Sequence, residues 1–518
     1  MATAKHTLAL SAVLAFGTAT SLAATDPLSA IEWLEKRPKQ VVVPITPLNA
    51  PEKIDEPPVA GSVTTPEVTV TPLGAPVRAA AGLLPSTVTG LPRTLWGESE
   101  TDTIVALIEA LNVEGKPALQ SLLYTLLLAE ADPPHDAHTS TFMRARVQKL
   151  LALGALDPAS ALLKRADPAH IDLFDLYFDT ALLNGDAHEP CKALSIDPGL
   201  SRDLEQRIYC DAQSQNWDNA ALTLSTGDAI GALDKIDVAL LERFLDPELF
   251  EESQLPPALA RPTVLQFRLF EAVGEALPTA SLPRAFAATD LSGDAGWKPQ
   301  LEAAERLARV GAISENRLLG IYTSRIPSAS GGVWDRVEAI QRLETALKSG
   351  DPIAAMKQTR RAWSLMQNAQ LQIPFSTLFA QNLLDLPDTG TASDADLITR
   401  IALLSPIYEQ AARRESSNAA IKAAQSVAIG EPLSDGPHTL YPAIVSAFSG
   451  ETVPERLKEM AQDARLGEAI LRAMSLTAAG SNGDPIAIQN GLGFLRSVGL
   501  EDTARRSALQ LLLLRMSS

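Results

Sequence analysis

The sequence is poor in the residues from which most active sites are built. Its 518 residues include two cysteines, six histidines and only 5% aromatics. It contains no His-Glu-x-x-His, no phosphate loop, no Gly-x-Gly-x-x-Gly and no Gly-x-Ser-x-Gly. The familiar zinc, nucleotide and serine-hydrolase chemistries therefore have no foothold in it, and no cofactor or metal is expected. No Lys/Arg cluster interrupts a formal net charge of −18. A surface that neutralises phosphates needs a basic patch, which argues against nucleic acid as a partner. After the first residues, no stretch approaches the roughly 20 apolar residues that cross a bilayer.

The one long apolar run lies at the start. Lys5 and His6 precede "TLALSAVLAFGTATSL", and Ser21-Leu22-Ala23 places small residues at the −3 and −1 positions of a cleavage site. This is the pattern of a secretory signal peptide over residues 1–23. No cysteine follows it to accept a lipid. The expected location is a bacterial periplasm, with no transmembrane span in the mature chain. In an oxidising compartment the pair Cys191 and Cys210 points to a disulfide between neighbouring helices. The rival readings are two buried thiols, or a nucleophilic Cys191 near His188.

Residues 24–97 read as a proline-rich linker with a short helix near Ser29. Prolines from Pro38 to Pro92 remove backbone donors and oppose both helix and central strand. Leu83, Leu84, Val88, Leu91, Leu95 and Trp96 are too apolar for a spacer, so that end is expected to be ordered. From residue 98 the texture changes to apolar residues at helical spacing, as in Ile104, Leu107, Ile108 and Leu111. Short helices joined by tight turns continue through 98–385 and on through 386–518. The turn cluster Leu384 to Asp396 marks the expected break, and "LPTASLPRAFAATDLSGDAGW" a second irregular zone.

"GDPIA" occurs twice, at Gly350 and at Gly483. Glycine suits the left-handed end of a helix, aspartate caps the next one, and proline fits its first position. Asp-Pro recurs at Asp157, Asp167, Asp197 and Asp246. The predicted fold is all-α: an irregular α-solenoid, or tetratricopeptide-like array of antiparallel helix pairs. In architecture the region after Trp96 resembles the exported helical-repeat proteins of Proteobacteria, although no constant 34-residue period emerges.

Candidate sites are few. His135 and His138 flank Asp136 but fall short of the three or four ligands of a metal shell. "SASGGVW", from Ser328 to Trp334, is a glycine-rich loop before a helix, without a cationic clamp. "WSLMQ" at Trp363 is similar to a Gly-Leu-Met-Gln segment of lytic transglycosylases. Ser364 replaces the glycine and no suitable Glu-Ser pair precedes it, so Trp363 and Met366 on a core-facing helix explain it better. Two stretches mix cations with aromatics: Lys357, Arg360, Arg361 and Trp363, and then Tyr408, Arg413 and Arg414. They are the candidate partner-binding residues, suited to an acidic protein or peptide. The expected function is a protein-binding or scaffolding module of the cell envelope. The alternative is an enzyme or accessory subunit acting on peptidoglycan or another envelope polymer, which would require carboxylates to converge in a cleft.

Overall fold

The computed structural model describes residues 80–514, apart from 138–139, 250–256, 293–294, 388–390 and 451–452. The chain divides after Pro72, and the described residues belong to the unit Leu73–Ser518. The expected signal peptide, the helix near Ser29 and the proline-rich stretch up to residue 79 lie outside them.

The fold is all-α. Among the described residues there are 24 α-helices, short 3-10 segments and no strand beyond one isolated parallel bridge between Leu84 and Ala129. The helices form a solenoid-like array, but their lengths, from 4 to 17 residues, set no constant repeat.

Gly-Asp-Pro is the helix-to-helix turn that its chemistry dictates. Gly350 ends helix Val333–Ser349 in the left-handed region at φ 73°. Asp351 Oδ1 then accepts the N–H groups of Ile353 and Ala354 at 2.9 and 3.2 Å, at the start of helix Pro352–Asn368. Asp484 does the same for Ile486 and Ala487 ahead of helix Pro485–Ser497. Asp197 and Asp246 accept N–H groups of Gly199 and Leu249 in shorter turns. Asp157 departs from the pattern, because helix Leu156–Arg165 begins one residue before it.

The run from Asp394 to Arg414 reads as one helix but is two, Ala392–Leu403 and Tyr408–Ala411. Pro406 opposes a helical conformation at Ser405. The Ser405 hydroxyl donates to Ala402 O at 2.6 Å and accepts the Ile407 N–H at 3.2 Å, which satisfies the broken ladder.

One hydrophobic core extends from Leu91 to Leu176, resumes at Trp297 and continues to Leu513. Leu383 and Ile398 both belong to it, so the turn cluster at Leu384 to Asp396 does not interrupt the packing. The interruption comes earlier. A lobe with its own core, including Phe178, Ile208, Leu240 and Phe270, occupies the intervening sequence. The second irregular zone forms the 3-10 segments Thr279–Ser281 and Arg284–Ser292, which return the chain to the main body.

The end of the proline-rich region is built into the helical body. Leu83 and Leu84 donate to Leu128 O at 2.8 and 3.0 Å, and Glu130 donates back to Leu84 O at 2.8 Å. Arg146, 1% exposed, spans the junction by donating to Leu127 O, Ala129 O and Ala81 O. Leu91, Leu95 and Trp96 are buried as expected, whereas Val88 is 70% exposed. Trp96 lies over Gly467, where an added Cβ would come within 2.4 Å of the ring.

The array closes on itself. Helix Glu501–Leu513 packs on helix Pro117–Leu128, and helix Leu466–Gly480 packs on helix Thr101–Ala110. A helix start leaves four N–H groups without partners, and Lys116 offers no side-chain cap. Gln510 supplies the acceptor: its Oε1 takes the Ala118 N–H at 2.9 Å in a buried setting. Gln510→Leu keeps the bulk and leaves that N–H buried without a partner. The expected cost is about 1–3 kcal/mol, seen as a lower urea midpoint. Gln510→Glu retains an acceptor and is expected to lose less; equal losses would contradict the cap.

Candidate functional site

The two aromatics of the expected partner-binding surface point inward. Trp363 is 2% exposed and packs on Phe375 with ring centroids 5.7 Å apart, with the Arg400 guanidinium over its ring. Tyr408 is buried and donates to Asp502 at 2.9 Å. Arg360 pairs with Asp394, and Arg361 with Glu338 at 2.6 Å. Lys357 and Arg413 are exposed and Arg414 is half-buried. The seven residues therefore do not make a surface of mixed cations and aromatics. The signal was periodicity: Met356, Trp363 and Met366 share the core face of one helix.

Cys191 and Cys210 are disulfide-bonded, with Cα atoms 4.9 Å apart, and join helices His188–Ile196 and Leu204–Gln213. In the chain-entropy account a bridge of this span stabilises by about 3 kcal/mol. The bond removes Cys191 as a nucleophile, and the exposed His188 faces Glu189 at 3.3 Å.

His135 Nδ1 lies 3.2 Å from Ser99 O, and His138 is outside the described residues. Asp136 between them caps helix Thr101–Ala110, accepting from the Thr101 hydroxyl at 2.7 Å and N–H at 2.9 Å. Those hydrogen bonds, the hydroxyl first, hold its carboxyl below the usual range. Among the described residues no group of three or more His, Cys, Asp or Glu is placed to hold a metal ion. In the glycine-rich loop the Gly331 N–H donates to Asp335 at 2.9 Å, so that donor is taken.

The two most buried glutamates are neutralised by arginines. Glu305 accepts from Arg336 Nε and Nη2 at 2.6 Å each and from the Tyr322 hydroxyl at 2.8 Å. Glu468 is fully buried between Arg465 and Arg472. Burial pushes its carboxyl up, but the hydrogen bonds from Arg472 and Arg465 outweigh this and hold it low. Both are buried ion pairs, and Glu305 also meets Arg309 Nη2 at 3.5 Å.

Asp179, in the lobe, behaves differently. Burial raises its carboxyl to about 7, and the negative charges of Asp175 and Asp203 add to the rise. An unfolded aspartate titrates near 4. Between those values the unfolded chain loses a proton that the folded chain keeps, so stability falls as pH rises through that window and levels off above it. Asp179→Asn should flatten this dependence. Melting temperatures taken from pH 4 to 8 check it; identical slopes in the two proteins would contradict the assignment.

A large concave feature lies where the array closes. Residues from 114–124, 280–284, 306–315, 370–374, 438–440, 481–483 and 506–514 surround a cavity of about 1230 Å³. Five cations line it: Lys116, Arg284, Arg306, Arg309 and Arg506. Only two carboxylates do, Glu114 and Glu315. This inverts the balance of a chain with 62 acidic and 44 basic residues. Carboxylates partner three of the arginines, Arg284 with Glu114 at 2.9 Å, Arg309 with Glu305 at 3.5 Å and Arg506 with Asp502 at 3.8 Å, and carbonyls hold Arg306 and Arg309 as well. Arg306 donates to Thr279 O and Leu282 O at 3.0 and 2.6 Å, and Arg309 Nε to Ala369 O at 2.7 Å. Burial lowers the proton affinity of Arg306, and the charges of Arg284 and Arg309 lower it further. Arg284 reaches Glu114 at 2.9 Å, but its Nε is buried without a partner. The Nε2 of Gln120, a residue 2% exposed, is likewise without a partner. The N-termini of helices Pro117–Leu128 and Gln372–Leu384 also border the space and add positive dipole ends. Sequence reasoning missed this site because its cations are scattered along the chain; only Arg306 and Arg309 are neighbours in sequence.

No protein family, curated protein or solved structure matches the chain in comparisons with each.

Proposed function

We propose that the protein is an exported, disulfide-stabilised binding module that scaffolds a protein partner in the cell envelope. The observation that carries this reading is the distribution of exposed apolar side chains. Thirteen large hydrophobic side chains are exposed among the described residues, and six of them fall within the sequence of the lobe: Ile196, Trp217, Leu222, Ile230, Leu249 and Leu259. Helix Trp217–Ala229 turns Ala220, Leu224 and Gly227 inward, while Leu222 (64% exposed) points away from that core. Exposed apolar side chains gathered in one region mark protein-contact surfaces, and tryptophan is prominent among binding hot spots. The disulfide in the same lobe fits an oxidising compartment. The neutralised Glu305 and Glu468 favour binding over polymer hydrolysis.

A photo-cross-linking residue at Leu222, placed in the protein in its native envelope, tests this. The reading expects one reproducible protein adduct. The purified partner should then bind, and Leu222→Asp should weaken it about ten-fold with the helical content unchanged, as expected for loss of a buried apolar contact. Recovery of glycan strands, or of no protein, would overturn the reading.

A further inference from the structure

We infer that the exposed face of helix Trp217–Ala229 docks a cationic amphipathic helix, a step that rests on the protein-partner scaffold proposed above and names that partner's chemistry. Charge is concentrated in the lobe. From residue 174 to 278 the sequence holds 19 acidic and seven basic residues. This fifth of the chain carries −12 of the net −18. The packing brings part of that charge to one end of the helix. Leu204 and Leu233 close around Gly227, where an added Cβ would lie 3.3 and 2.8 Å from their Cδ1 atoms. Leu204 opens helix Leu204–Gln213, and Leu233 stands just ahead of helix Lys235–Leu245. Asp203, Glu205 and Asp234 therefore come to the same end as Asp228 and as Ile230, which is 72% exposed. Burial raises the Glu205 carboxyl, and the charges of Asp237, Asp203 and Asp234 raise it further, as carboxylates that share one field do. Asp203, Glu205, Asp228 and Asp234 take part in no ion pair among the described residues. Of the nearby cations, Arg207 donates to Pro198 O and Ser201 O at 2.8 and 2.6 Å, and Arg202 and Lys235 are exposed. Residues 202–237 hold these three cations against seven carboxylates.

The same helix supplies the apolar part of the face. Asp218, Ala221, Leu222, Ser225 and Ala229 fall on one side at helical spacing, and all are exposed. Ala221, Ser225 and Ala229 are short and four apart, so an apposed helix can approach along them beside Leu222. The Ser225 hydroxyl already donates to Leu222 O at 3.0 Å, so covering it strands no donor. Trp217 and Ile230 stand at the two ends of this strip. A second copy of the chain would set one acidic lobe against another. Nucleic acid and anionic lipid are repelled in the same way. Among the described residues no three acidic groups are placed to hold a metal ion. A helix that is apolar on one side and basic at its rim complements both halves of the face.

Fluorescence anisotropy on the full, disulfide-intact protein tests this with two synthetic peptides of about 18 residues, long enough to form helices. One is built of leucine and lysine, the other of leucine and glutamate. The lysine peptide should bind saturably at one site, and the glutamate peptide should not. Leu222→Ala should weaken binding about ten-fold at every salt concentration, as loss of a buried apolar contact does. Asp228→Asn combined with Asp234→Asn should weaken it about five-fold at low salt and little at high salt, because added ions screen exposed charges. Glu431→Gln combined with Asp435→Asn, exposed carboxylates outside the lobe, should leave affinity unchanged. Absence of saturable binding, equal binding of the two peptides, or affinity unmoved by Leu222→Ala would overturn the inference. So would a dimer in sedimentation that Leu222→Asp dissociates. If the peptides fail while the Leu222 cross-link still captures a protein, scaffolding stands and the cationic partner falls; failure of both removes both.

Discussion

A buried N–H at the start of helix Pro117–Leu128 finds its acceptor nearly four hundred residues away, on Gln510. That hydrogen bond belongs to the contact on which the rest of the architecture depends. In an open solenoid each unit touches only its neighbours, and terminal helices must present one polar face to water. Here helices near both ends of the described chain bury their apolar faces on each other, so neither needs a separate cap. Closure also creates the cavity, whose walls are the turns and helix ends that converge at that junction.

The segment entering the array is fixed by a comparable device. Arg146 places a guanidinium among three main-chain carbonyls with no carboxylate paired to it among the described residues, and burial lowers its proton affinity to about 10. Carbonyls satisfy the donors without cancelling the charge, while the planar fork addresses three acceptors at once in a way that lysine cannot. The same pairing of arginine with carbonyls recurs around the cavity at Arg306 and Arg309. There Arg309 also meets the Glu305 carboxylate at 3.5 Å.

Local rules made much of the helical array legible. Asp351 and Asp484 could be read as caps because proline and glycine on either side leave the backbone few alternatives. Cys191 and Cys210 could be paired because the chain offers no other thiol. Boundaries that depend on tertiary packing were not legible. Turn residues at Leu384 to Asp396 signal a loop, and a loop can join two helices of one core as readily as two domains. Trp363 carried two readings, and the apolar spacing around it outweighed its cationic neighbours; Tyr408 was read only as a contact residue. The cavity left almost no trace, because Lys116, Gln120, Arg284, Arg309 and Arg506 meet only after the chain has returned to its start.

Hydrogen exchange on the whole chain carrying Ala508→Asp tests closure most directly. Ala508 is fully buried in helix Glu501–Leu513, and a carboxylate there loosens that helix. The closed array predicts faster exchange in helix Pro117–Leu128 together with helix Glu501–Leu513. Faster exchange confined to helices Pro485–Ser497 and Glu501–Leu513, with Pro117–Leu128 unchanged, would contradict it.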